Sequence, residues 1–395
     1  MENGSPALVN AVACAHHAVT PQEPTLSQAI RFRRPRRFAA LALLTTALAA
    51  PAAAEQQVHI YNWNDYFAED TLSGFEAETG IDPVLDLYDA NEVLEAKLFA
   101  GSSGYDVVFP TARPFAARHL KADLYLPLDK SKLPGLDRLD PAIMQSLAEI
   151  DPDNGHLVPY MWGTSGLGLN VGKVRAALGD DADLDTWALV FDPDKAAKLA
   201  DCGISLLDDP TEVFSAALAY LGKDPNSLDK ADLDAATELL NKVHPYIRYF
   251  HSSQYISDLA TGDLCVAHGY SGDVLQARDR AAEANGPEIA YRIPKEGAAL
   301  WTDVMAIPKD APNPDAAHAF IAYLLQPKVI AEVSNYVYYA NPNEAASEYL
   351  DQELRDDPGI YPPAEVKARL FVPSDRSDRQ IRDLNRRWTR VKAQR

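Results

Sequence analysis

Between Val58 and Pro110 the hydrophobic period of the chain switches repeatedly, and few folds accommodate that pattern. Val58 to Trp63 is rich in β-branched and aromatic residues and reads as a strand. Asp70 can cap a helix that runs through Phe75 and Glu78 and stops at Gly80. Pro83 to Tyr88 is a second strand. Asn91 then opens a helix with Val93, Leu94, Leu98 and Phe99 at helical spacing, ended by Gly101. Asp106-Val107-Val108-Phe109 is a short buried strand closed by Pro110. This β-α-β-α-β succession implies an α/β fold, a parallel sheet with helices on both faces. In such sheets ligands sit beyond the carboxyl ends of the strands, where Trp63-Asn64-Asp65-Tyr66 and Thr111 fall.

The rest of the chain continues in kind. Asp151-Pro152-Asp153-Asn154-Gly155 is a dense turn cluster, and a first crossing between lobes is expected near Tyr160 to Gly166. A second αβ stretch covers about 165–298, with helices from Val213 to Leu221, Ala231 to Val243 and Gly272 to Ala284. Trp301 to Pro308 reads as another buried strand, and Ala316 to Leu325 as an amphipathic helix interrupted at Pro327. The basic tail from Arg376 to Arg395 is expected to be a solvated helix anchored by Trp388.

The amino terminus reads as an address. Arg31-Phe32-Arg33-Arg34-Pro35-Arg36-Arg37 is a basic region followed by the apolar run Phe38 to Ala50 and by small residues, which predicts a signal peptide cleaved near Ala54-Glu55. Residues 1–30 precede it without periodicity and read as an over-called start or a dispensable leader. The apolar run is too short for a permanent anchor, so residues 1–54 are expected to be leader and the remainder exported, soluble and not membrane-embedded. Residues 1–54 hold five arginines against two glutamates, leaving 32 basic and 55 acidic side chains, a net −23, beyond them. So acidic a surface excludes a nucleic-acid partner and can steer cations inward. Cys14 falls in the leader. Cys202 and Cys265 then form either a disulfide across a loop of about sixty residues or two buried thiols.

Catalytic and cofactor motifs fail one by one. Gly163-Thr164-Ser165-Gly166-Leu167 lacks the closing glycine of a nucleophile elbow, Gly166 and Gly168 lack the third glycine of a dinucleotide fingerprint, and no phosphate loop exists. The histidines after the leader show no metal-ligand spacing, so neither a cofactor nor a metal is expected. What remains is a recurrence. Trp63-Asn64-Asp65, Tyr270-Ser271-Gly272-Asp273 and Trp301-Thr302-Asp303 each set an aromatic residue two or three positions ahead of an aspartate. Aromatic faces attract cations and cover alkyl chains, while carboxylates pair with ammonium groups. Asp303 lies in an apolar run where a charge is costly unless paired. It is either bridged to a distant arginine or kept for a cationic ligand. Asp208-Asp209-Pro210-Thr211-Glu212 is a turn whose carboxylates can cap the next helix.

Longer blocks carry a resemblance. Tyr61-Asn62-Trp63-Asn64-Asp65-Tyr66, Leu221-Gly222-Lys223-Asp224-Pro225-Asn226-Ser227, Ile247 to Ile256, Ile293 to Gly297 and Pro358 to Pro363 resemble the periplasmic polyamine-binding proteins of bacterial ABC importers, most closely the putrescine-binding branch. The resemblance covers about residues 57–392. It implies a hinged, two-lobed periplasmic-binding-protein fold of type II that closes on an extended diamine and delivers it to permease subunits. The lobes would comprise 55–162 plus about 299–338, and 163–298 plus about 339–395. Carried over by position, Trp63, Tyr270 and Trp301 match an aromatic box and Asp273 and Asp303 the carboxylates that grip one ammonium. Two aspartates so close would repel each other in the empty site and raise at least one pKa. Asn64, Asp65 and Glu212 match groups near the other end, and Tyr66, Thr111, Ser252 and Tyr339 further polar contacts. Cys202 and Cys265 match a disulfide pair. Asn64 and Thr111 stand where putrescine binders usually carry serine, Tyr270 where they carry tryptophan, and Trp301 where they often carry phenylalanine. Putrescine, spermidine, cadaverine and agmatine are therefore all candidate ligands. The rival readings are a receptor for another organic amine, a sensor-linked receptor, and a secreted glycosidase-like hydrolase with a carboxylate pair.

Overall fold

The alternation read from the sequence is present in the computed structural model, which describes residues 56–394. The expected leader, its basic and apolar runs, the cleavage point and Cys14 lie outside the described residues. β1 (Gln57–Trp63), α1 (Thr71–Thr79), β2 (Asp82–Tyr88), α2 (Asn91–Ala100) and β3 (Val107–Val108) follow in order. β1 lies between β2 and β3 and is parallel to both. α1 and α2 each stop at a glycine with φ of 71°, Gly80 and Gly101, where a Cβ would be strained. One detail differs from expectation: the Asp70 carboxylate does not cap α1. The Asp70 carbonyl takes the Gly74 amide instead, at 2.8 Å.

The remaining strands are β4 (Leu157–Asn170), β5 (Ile204–Leu206), β6 (Tyr249–Phe250), β7 (Val266–Tyr270), β8 (Ile289–Arg292), β9 (Ala298–Ala306) and β10 (Leu370–Phe371). Helices α3 (Pro210–Tyr220), α4 (Lys230–Val243), α5 (Gln254–Ala260), α6 (Ser271–Glu283), α7 (Pro314–Leu324), α8 (Pro327–Val337) and α9 (Asp378–Lys392) are the ones that matter below. The sheet order is β2-β1-β3-β9-β4-β7-β5-β6, with β8 on β4 and β10 on β9. β4 pairs antiparallel with β9 from Leu157 to Ser165, then with β7 from Ser165 to Leu169. β4 and β9 thus carry the sheet from a first half, around β1, into a second half, around β7. Burial on both faces explains why β4 is so apolar and glycine-rich. Its register slips between Pro159 and Met161, where proline supplies no amide hydrogen.

Pro327, which interrupts the helical pattern, starts α8, where its missing amide hydrogen costs nothing. α9 is amphipathic: Leu384, Trp388 and Val391 are buried, and Trp388 Nε1 donates to Asp208 at 2.7 Å. The expected solvated tail is corrected at one residue, because Arg376, ahead of α9, is only 5% exposed. Cys202 and Cys265 form a disulfide in the second half. Among the described residues no helix is long and apolar enough to cross a membrane.

Candidate functional site

β1 ends at Trp63, and the backbone then turns through Asp65 at φ 50°, a left-handed conformation that aspartate tolerates better than most residues. The turn drops Tyr66 into the interior, where its hydroxyl donates to Asp303 Oδ2 at 2.9 Å. Thr111, just past β3, donates to Asp303 Oδ1 at 2.7 Å. Thr111 is itself fixed by Asn91, whose side chain takes the Thr111 amide at 3.1 Å and donates to its hydroxyl at 3.0 Å. Asp303 sits two residues beyond Trp301 on β9, so both side chains leave the same face of the strand.

Asp273 is held in a similar way in the second half. It lies in the first turn of α6, and its two oxygens accept from Tyr255 and Tyr339 hydroxyls, both at 2.7 Å. The Tyr255 hydroxyl also accepts the Tyr270 amide at 3.0 Å. Among the described residues, every hydrogen-bond partner of the Asp273 and Asp303 carboxylates is a hydroxyl; no guanidinium bridges either. Burial pushes Asp303 up to about 7, against the pull of Thr111 and Tyr66. Burial likewise pushes Asp273 up to about 6, opposed by Tyr339 and Tyr255. Mutual repulsion of the two aspartates is therefore not what raises them, contrary to expectation; withdrawal from water is. Glu212, 8% exposed at the start of α3, is also raised, first by burial and then by neighbouring Asp209. Asp209 caps α3 through the Thr211 and Glu212 amides at 2.7 and 3.2 Å, as a capping residue should.

Aromatic rings wall the space between these carboxyls. Trp63 is pinned by its Nε1 to the Phe109 carbonyl at 2.8 Å and packs on Tyr88. Tyr270 meets Trp301 edge-on at 5.8 Å, and Trp301 meets Tyr339 at 5.2 Å. Two glycines seat these rings. A Cβ on Gly163 would come within 2.7 Å of the Trp301 ring, and one on Gly272 within 2.5 Å of Tyr339. The cleft between the rings has a cavity volume of about 460 Å³, a size suited to a small organic molecule.

All of the candidate residues from the sequence line this one cavity, including Asn64, Asp65, Thr111 and Ser252. Their situations differ. Asn64 and Asp65 are exposed at its rim, and Asp65 faces Arg280 at 3.6 Å near Asp273, not beside Glu212 as the resemblance implied. The Ser252 hydroxyl oxygen accepts the Asp208 amide at 3.2 Å. Tyr339 acts on Asp273 as well as walling the cavity. Sequence reasoning missed Tyr255, Asn91, Arg280 and Arg376. Tyr255 lay within a recognised block, Ile247 to Ile256, and its burial could have been suspected there. Nothing local distinguishes the other three.

Residues 71–362 match the profile of a family described as bacterial extracellular solute-binding protein. The chain is 52% identical over 354 residues to a putrescine-binding periplasmic protein of Escherichia coli, spanning 89% of this chain and 95% of that one. It is 44% identical over 358 residues to a putrescine/agmatine-binding protein of Pseudomonas aeruginosa, spanning 89% and 97%. Among solved structures it is similar to a spermidine/putrescine ABC transporter substrate-binding protein of Streptococcus pneumoniae, with a TM-score of 0.70, 28% identity, and 85% and 98% of the two chains covered.

Proposed function

The chain belongs to the bacterial extracellular solute-binding proteins, receptors rather than enzymes, and from that premise we propose that its cavity captures a protonated polyamine, putrescine or a close relative. The observation that carries this reading is a pair of buried carboxylates, Asp273 and Asp303, held only by hydroxyls inside a box of aromatic rings. Buried carboxylates without a cation are costly, and an ammonium group supplies the missing charge. Trp63, Tyr270 and Trp301 cover the alkyl chain and add cation–π attraction. Glu212 receives the second ammonium at the other end. Tyr66, Thr111 and Tyr339 orient the carboxylates, Ser252 and Asn64 complete the polar wall, and Asp65 guards the rim.

The strand pattern supports a reading of two lobes, 55–162 with about 299–338 and 163–298 with about 339–395, joined along β4 and its partner β9. Hinge closure over the ligand yields the form that docks on an ABC permease. The location is extracytoplasmic, as for its relatives. Residues 31–54 supply the export signal, with cleavage near Ala54-Glu55; the amino-terminal sequence of the exported protein checks this. Calorimetric titration with putrescine, cadaverine, agmatine and spermidine tests the function. Heat and a melting shift with at least one of them is expected. Silence with all four removes the polyamine reading.

A further inference from the structure

We propose that Arg376 is a specificity-determining residue, a built-in cation that closes the acidic end of the cavity and holds the ligand to the length and charge of a diamine. This rests on the polyamine reading above. Arg376 is 5% exposed, its Nη1 donates to Thr211 Oγ1 at 2.9 Å, and its Nε is buried without a partner. Thr211 stands between Asp209 and Glu212, and all three line the ligand cavity. Arg376 does not line it. It lies behind them, against a second hollow shared with Arg118, Lys121, Asp375 and Asp378, and so forms the partition between the two.

A guanidinium this buried is retained only if nearby carboxylates compensate it. Burial lowers the basicity of Arg376 and Asp209 and Glu212 partly restore it, while burial raises both carboxyls and Arg376 partly pulls them back. Apart from the exposed Asp65 and Asp89, the cavity's carboxylates therefore fall into two groups. Asp273 and Asp303 have only hydroxyl partners and are free for an ammonium. Asp209 and Glu212, with Glu92 beside Asp209, already share a fixed cation, which reduces the further positive charge they can balance. A chain bearing another ammonium beyond Glu212 would drive like charge against Arg376. The opposite end gives no relief, since Asp65 there is opposed by Arg280.

The test is calorimetric titration of wild type, Arg376→Gln, Arg376→Lys and Thr211→Val with putrescine and with spermidine. In Arg376→Gln the spermidine-to-putrescine affinity ratio should rise at least tenfold. Arg376→Lys, which keeps the charge, should stay within about threefold of wild type. Thr211→Val frees the guanidinium and should move the ratio in the same direction as Arg376→Gln. An unchanged ratio in Arg376→Gln overturns the assignment, as does an equal rise in Arg376→Lys, which would mark an effect of shape. If Arg376→Gln does not fold, Thr211→Val decides, a wild-type ratio there overturning the proposal. Wild type that binds neither amine sinks the polyamine reading itself; wild type that binds either, with no change of ratio in the variants, sinks only the role of Arg376.

Discussion

Asp303 and Asp273 show what a cation site needs before its cation arrives. Their folded pKa values, about 7 and about 6, lie above the usual carboxylate range because burial penalises the charged form. Two consequences with opposite signs follow. Capture of an ammonium requires the ionised carboxyls, so affinity for putrescine should fall at least tenfold from pH 8 to pH 5.5, with protons released on binding at pH 7. Titration at several pH values, in buffers of different ionisation enthalpy, reads both; a pH-independent affinity would contradict it. In the empty protein the native state binds protons more tightly than the unfolded chain between about pH 4 and 7, so the stability tied to these groups rises as pH falls through that window. Arg280 and Asp65 face Asp273 and act on it in opposite directions, but both are weaker than burial. Asp303→Asn should therefore be more stable than wild type at pH 8, by roughly 4 kcal/mol for a carboxyl raised to about 7, and the gap should narrow as pH falls and close near pH 4. The same variant should bind putrescine at least a hundredfold more weakly, because one ammonium loses its charge partner. Asp303 was legible from sequence as a lone charge in an apolar run. Arg376 was not, since a buried arginine among Ser374, Asp375, Ser377 and Asp378 looks like any solvated basic residue.

At the level of elements, β1 to β3 with α1 and α2 were readable because glycines end both helices and the period changes abruptly. The site's support was harder to read. Tyr255 on α5 reaches Asp273 on α6 across 18 positions, and nothing in either helix announces the pairing. Glycine roles were hidden as well. Gly272 lies within α6, where alanine would improve helix propensity by up to about 1 kcal/mol. Against that, a Cβ would meet the Tyr339 ring at 2.5 Å, and overpacking of this kind costs about 1–3 kcal/mol. Gly272→Ala is thus expected to lower stability slightly and binding strongly, by tilting Tyr339 away from Asp273. Melting and titration together check this, and a more stable variant with normal affinity would refute it.

For the whole molecule, the disulfide Cys202–Cys265 closes a segment separated by 63 positions, worth about 4 kcal/mol in the chain-entropy account. Reduction, or paired serine substitution, should lower the melting temperature by several degrees and leave affinity within a few-fold, since neither cysteine lines the cavity. A large loss of affinity would show that the bond shapes the site. β4 changes partner at Ser165, within the stretch Tyr160 to Gly166 where a crossing was expected. The shared use of β4 and β9 was not legible, because strand pairing is set by long-range contacts. Those two strands bear a mechanical meaning. Adjacent antiparallel strands that belong to both halves behave like a leaf spring: they bend and twist readily but resist sliding. Paired in this way they favour bending over shear, and whatever stiffens that ribbon should slow ligand escape and ligand admission alike.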